Sequence, residues 1–137
     1  MRRIYLISCA SKKLSYPAKA KDIYVSPLFR LGYNFAVQSR PDAIYILSAK
    51  HGLLDPNTEI EPYNVTLNEM SSNEVRAWSD KVLYQLTQCC DLNRDHFVFL
   101  AGSAYRKYLV DGIRSYEVPM EGLAIGKQLQ YLSERTR

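Results

Sequence analysis

Four stretches of this 137-residue chain end or interrupt apolar runs with small, polar or charged groups. They are Ser8-Cys9-Ala10-Ser11-Lys12-Lys13, Ser48-Ala49-Lys50-His51-Gly52, Gly102-Ser103-Ala104-Tyr105-Arg106 and Pro119-Met120-Glu121-Gly122. Cys9 reads either as a small core residue or as a thiolate held by Lys12, Lys13 or His51. Lys12 and Lys13 lie among small residues, where ammonium and backbone N–H groups hold an anion, or they form a solvated pair. His51, directly after Lys50, is a proton donor or leaving-group contact, or a turn cap beside Gly52. Ser103 donates to an anion at a helix start or caps that helix. Arg106, one turn further, reaches phosphate or solvent. Glu121 is the one acidic group at the four tips. It orients water or stabilises a cation, or it offsets a helix dipole.

These tips matter only if the fold brings them together. Arg3–Cys9 is a short apolar, β-rich run and the first expected strand. Ser26-Pro27 is a helix start, with Leu28, Leu31 and Phe35 spaced for one face. Pro41-Asp42 breaks that helix, and Ala43–Leu47 is the second strand. A long loop follows to about residue 68. Ser71 and Glu74 have capping-box spacing, and Val75, Trp78, Val82 and Leu86 continue at helical period. His96–Ala101 is the third strand, with a helix over Ala104–Val110. Tyr116–Val118 is a fourth strand, and a last helix runs from Gly122 to about Ser133, with Ile125, Leu129 and Leu132 on one face.

Alternating strands and helices predict an α/β fold: a three-layer α/β/α sandwich with a four-stranded, mainly parallel sheet, in one domain over 1–137. The strands are apolar throughout, as expected when helices cover both faces. Ligands in such sheets sit at the carboxyl ends of the strands, where all four tips would meet.

Composition narrows the partners. Net charge is +4 with 11 tyrosines, a mixture suited to phosphates and stacked bases. Three scattered cysteines and two histidines lack zinc-ligand spacing and form no CxxC, so neither a metal nor a disulfide is expected. No apolar run approaches membrane-spanning length, which predicts a soluble, cytoplasmic protein without a membrane partner. A phosphatase loop would need arginine where Ser15 stands. Gly122–Lys127 is one residue short of a nucleoside-triphosphate loop and continues with Gln128. No GxGxxG follows a strand, so no dinucleotide cofactor is expected.

The blocks SCASKK, LSAKHGLLDP with EPYNVTL, FLAGSAYRKYL and VPMEGLAIGKQLQYL resemble an uncharacterised bacterial and phage domain family that spans nearly the whole chain. The middle block is similar to the YaaA peroxide-stress family through Ser48, Gly52, Leu53, Leu54, Pro62 and Tyr63. The first block resembles a Cys-Ser-x-x-Lys segment of archaeal enzymes that elaborate 7-deazaguanine in transfer RNA. Cys9 and Lys12 match that segment, and Ala10 replaces its serine. These groups resemble the uracil-DNA glycosylase superfamily in fold, which implies chemistry on nucleic acid or a modified base. Where well-known glycosylases carry a carboxylate or Asn after strand one and often a His after the last, this chain has Cys9-Ala-Ser-Lys12 and Met120-Glu121.

The leading expectation is an enzyme acting on a nucleobase or nucleotide by N-glycosidic cleavage or exchange, without a cofactor. Cys9, Lys12, Lys50, His51 and Glu121 are its candidate catalytic groups. Ser8, Ser11, Lys13, Ser48, Tyr63, Gly102, Ser103, Tyr105 and Arg106 are its candidate substrate contacts, with Tyr63 or Tyr105 stacking on a flipped base. Two rival expectations are a non-catalytic DNA- or RNA-binding module and a small-molecule nucleotide enzyme or sensor. The sequence leaves the oligomeric state open.

Overall fold

A computed structural model describes residues 1–136. Along the chain come β1 (Arg3–Ser8), β2 (Ala18–Lys19), α1 (Ala20–Ile23), α2 (Pro27–Gln38), β3 (Ala43–Ser48), β4 (Gly52–Leu54) and β5 (Glu59–Ile60). Then follow α3 (Ser72–Thr87), β6 (His96–Leu100), α4 (Ser103–Arg106), β7 (Ser115–Glu117) and α5 (Ile125–Arg135). Single 3₁₀ turns stand at Leu67–Glu69 and Val110–Gly112.

The protein is α/β. Its main sheet has the order β4-β3-β1-β6-β7. β3 and β6 flank β1 in parallel, β7 continues in parallel on β6, and β4 pairs antiparallel with β3. The sheet is therefore five-stranded and mixed, a correction to the expected four parallel strands. The extra strand arises because the chain reverses over residues 49–51. Gly52 takes φ 76°, a left-handed conformation that costs glycine little. Leu53 and Leu54 then pair back onto Leu47 and Ile46.

Helices cover both faces of the sheet. Tyr5 and Ile7 of β1 pack on one side with Phe29 and Ala36 of α2 and Leu132 of α5. Ile4 and Leu6 pack on the other with Trp78, Val82 and Leu86 of α3. Ser26 caps α2 by accepting the Phe29 N–H at 3.1 Å, with Pro27 in the first turn. The buried stripe of α2 is Phe29, Gly32 and Ala36. Leu28, Leu31 and Phe35, expected to form it, flank it half-buried. Ser71 and Glu74 form the capping box in both directions, at 3.2 and 2.9 Å.

Several elements differ from expectation: β1 and β6 end one residue early, and β7 starts and ends one residue before the expected fourth strand. The third helix is only α4, because the chain then tightens to i→i+3 bonds such as Leu109 N–H to Arg106 O at 3.1 Å. The last helix starts at Ile125, since Gly122 adopts φ 82°, outside the right-handed helical region. Ile125 is 66% exposed and belongs to no core face. The long loop after β3 is also structured: β5 pairs antiparallel with β2 as a separate two-stranded ribbon.

Candidate active site

The chain passes from β1 to β3 on one side and later to β6 on the other. Strand order thus reverses between the carboxyl ends of β1 and β6, where α/β sheets bind ligands. A cleft of about 400 Å³ opens there. Ser8, Cys9 and Ser11 line it from the end of β1, and Ala101 and Gly102 from the end of β6. Leu28 and Phe29 of α2 face Met120, Ile125 and Leu129 across it, so its walls are largely apolar. A second cavity of about 210 Å³ shares Ala101, Gly102, Met120 and Gln128 with the first. It adds Ser103 and Arg106, so an apolar slot adjoins a polar recess.

The surrounding backbone favours an anion. α2 and α5 both begin at the cleft, and neither has an acidic residue in its first turn. Ala124, the N-cap of α5, offers no side-chain acceptor to the first-turn N–H groups. Both helix starts therefore face the cleft without an acidic partner in their first turns, and that of α5 also lacks a side-chain cap. The Arg106 guanidinium donates through Nε to Ala101 O at 3.3 Å and stands 3.9 Å from Glu121.

Cys9 occupies the junction of the two cores and packs against both. Its Sγ lies 3.2 Å from the Tyr105 hydroxyl, and the Tyr105 ring sits edge-on to Trp78 at 5.5 Å. Burial, chiefly, pushes the Tyr105 hydroxyl up, with Cys9 adding to the shift, so it stays protonated. Lys13 Nζ lies over the Tyr63 ring at 4.3 Å and donates to Ser11 O at 3.2 Å. Desolvation lowers its pKa, and the Cys9 sulfur partly opposes that.

Beside the cleft, on the β3 side, lies a hydroxyl network. Fully buried Ser48 joins Tyr63 at 2.8 Å, and Tyr63 joins Tyr24 at 2.6 Å. Ser48 Oγ also accepts the His51 N–H at 3.0 Å, while Trp78 Nε1 donates to Ser48 O at 2.9 Å. Burial, above all, pushes the Tyr24 hydroxyl up to about 12 and moves Tyr63 in the same direction. The His51 ring meets Tyr63 edge-on at 5.6 Å. Desolvation first, then Lys50 and Lys81, lower its pKa, so the imidazole is neutral near pH 7.

The predicted groups therefore divide. Ser8, Cys9, Ser11, Gly102, Ser103 and Arg106 line the two cavities. Lys13, Ser48, His51, Tyr63 and Tyr105 sit in the layer around them. Lys12 and Lys50 are exposed and line neither cavity. Glu121 also lines neither; its side chain is 70% exposed. Tyr24, Phe29, Trp78 and Gln128 join the site without having been singled out as candidates. Trp78 was legible only as a core residue of α3. Tyr24 and Phe29 are brought in by packing distant in sequence. Among the described residues, no group of three His, Cys, Asp or Glu could hold a metal ion. Among them, too, no helix is long and apolar enough to cross a membrane.

The family model of DUF6884 matches residues 4–134. The chain belongs to that family, one of unknown function. Neither a curated protein nor a solved structure matches it. The matched span takes in every candidate residue from Ser8 to Glu121. The likeness to an uncharacterised family over nearly the whole chain thus has its counterpart in DUF6884. The likeness to the YaaA family rests on the quoted motifs alone, and that to the glycosylases on an expected likeness of fold alone.

Proposed function

We propose that the protein is an enzyme acting on a nucleobase or nucleotide at the crevice between β1 and β6, cleaving or exchanging an N-glycosidic bond. One observation carries this reading: a largely apolar cleft of about 400 Å³ adjoins a smaller recess lined by Ser103 and Arg106. Flat rings desolvate well between Phe29 and Met120, while Ser11 and Gln128 offer polar groups to a base edge. Arg106, Ser103 and the start of α5 take the phosphate. As the base departs with the bonding electrons, the sugar gains positive charge. Glu121, outside both cavities but 3.9 Å from Arg106, is the carboxylate assigned to stabilise that charge or direct water to it. The parallel β3-β1-β6-β7 core, with its crevice at the strand ends, supports the glycosylase-like reading of the fold.

The test is release of free base from DNA, RNA and nucleotides carrying ordinary and modified bases, followed by chromatography. Wild type is expected to release base from at least one substrate, and Arg106→Ala and Glu121→Gln to reduce the rate at least 10-fold. Release from none of them overturns the enzymatic reading. Exposed Lys12 and Lys50, which line neither of these two cavities, favour a polymer contact as the second reading. It predicts DNA or RNA affinity that falls steeply between two salt concentrations and survives Glu121→Gln. Binding of free nucleotide without polymer affinity would instead mark a small-molecule enzyme or sensor.

A further inference from the structure

Cys89 and Cys90 follow the last turn of α3, at the edge of the sheet away from the cleft. The helix starts near the strand ends, where Trp78 meets Ser48, and finishes where Arg2 Nη2 donates to Cys89 O at 2.8 Å. Both thiols are free, Cys89 exposed and Cys90 half-buried against the α3-side core. Their sulfurs lie 3.6 Å apart, turned to the same side.

Two kinds of chemistry suit such a pair, and geometry separates them. A disulfide needs sulfurs at about 2.05 Å and Cα atoms usually more than about 4.4 Å apart. Sequence neighbours have Cα atoms only about 3.8 Å apart, so direct closure is strained. A single atom bridging the two sulfurs is not. With bonds of about 2.3 Å, sulfurs 3.6 Å apart subtend about 103° at the bridging atom. A linear two-coordinate ion would need them about 4.6 Å apart. The bite therefore fits a pyramidal or tetrahedral centre.

The surroundings decide further. Among the described residues no third His, Cys, Asp or Glu completes a cluster. The Asp95 carboxylate is engaged by Arg2 at 3.6 Å and by the Asp91 N–H at 2.8 Å. The occupant must bring its remaining ligand. Burial, chiefly, pushes the Cys90 thiol up to about 12, and the Tyr45 hydroxyl bonded to Cys89 is pushed up to about 12 as well. A charged dithiolate is thus disfavoured, and a neutral adduct is not.

We propose that the Cys89–Cys90 pair is a chelating site for a trivalent arsenical. With an aryl arsine oxide, two As–S bonds form, and the arsenic-bound oxygen leaves as water with both thiol protons. Arsenic stays trivalent and no oxidant or reductant is consumed. The site is independent of the cleft and of the nucleotide reading.

The test is equimolar phenylarsine oxide added to the reduced full chain, read by intact mass. Wild type and Cys9→Ser are expected to gain one phenylarsenic group with loss of one water, reversed by excess dithiol. Cys89→Ser and Cys90→Ser are expected to bind at least 100-fold more weakly. Cys89 is exposed, so its serine variant, folded by circular dichroism, is the decisive arm. No uptake by wild type, or undiminished uptake by Cys89→Ser, overturns the proposal.

Discussion

Replacing Ser48 by alanine removes one oxygen from the end of β3. That oxygen is fully buried and serves two partners, the His51 N–H at 3.0 Å and the Tyr63 hydroxyl at 2.8 Å. A buried donor left unmade costs about 1–3 kcal/mol, and the lost hydroxyl pair about 1 more, giving about 2–4 kcal/mol. Urea unfolding is the assay; with a mid-range slope of about 2 kcal/mol per molar, the midpoint falls by roughly 1–2 M. Tyr63→Phe breaks the same pair from the other side. Because the residues touch, the two substitutions are expected to couple by about 1 kcal/mol in a double-mutant cycle. A loss below about 0.5 kcal/mol, or strictly additive effects, would refute the view that Ser48 organises this tip.

Gly52→Ala forces a Cβ onto a left-handed residue and against Gln85 Oε1, the acceptor for the Leu53 N–H. A loss of about 1–3 kcal/mol in the same urea assay is expected, with the hairpin into β4 disturbed. Trp78→Phe keeps the ring in the core but leaves Ser48 O without its 2.9 Å donor, and should cost about 1–2 kcal/mol. His51 has a lowered pKa in the fold, so the unfolded chain takes up its proton first as pH falls. Its contribution to stability is complete above about pH 6.5 and is lost as pH falls through the lower folded value. Unfolding compared at pH 7.5 and 5.5 should therefore show a smaller pH dependence in His51→Gln than in wild type.

The central strands β1 and β6 were legible because their buried stretches carry no polar interruption. Ile4 to Ile7 and Phe97 to Leu100 are buried on both faces, and such runs stand out in any sequence. The starts of α2 and α3 were legible through their caps, which are local. β4 was not. Gly52-Leu53-Leu54 is too short to show alternation, and its pairing depends on a reversal at residues 49–51. The signal present was a glycine directly after three residues that follow an apolar run, a position where a left-handed residue can start the returning strand of a hairpin. At the site, polarity identified the strand ends but not the depth of each group. Ser48 and Lys50 are two residues apart, yet one is buried and the other exposed.

That difference in depth assigns different work to the tips. The β3 tip is occupied with itself: Ser48, Tyr63 and Tyr24 satisfy one another, and Trp78 and His51 lock onto the same serine. Its tyrosine hydroxyls are pushed up by burial, so the network stays neutral and rigid at physiological pH. A neutral, satisfied wall repels no anion and offers Lys13 a ring to lie on, at 4.3 Å from the Tyr63 centroid. The β1 and β6 tips are the reverse. They leave a thiol, serine hydroxyls and a guanidinium at the cleft, beneath two helix starts without acidic compensation. Substitutions in the first group should therefore be felt mainly in stability, and substitutions of Arg106, Ser103 or Cys9 mainly in ligand binding. A Ser48→Ala protein that stays folded but loses ligand, beside an Arg106→Ala protein that loses only stability, would invert that division of labour.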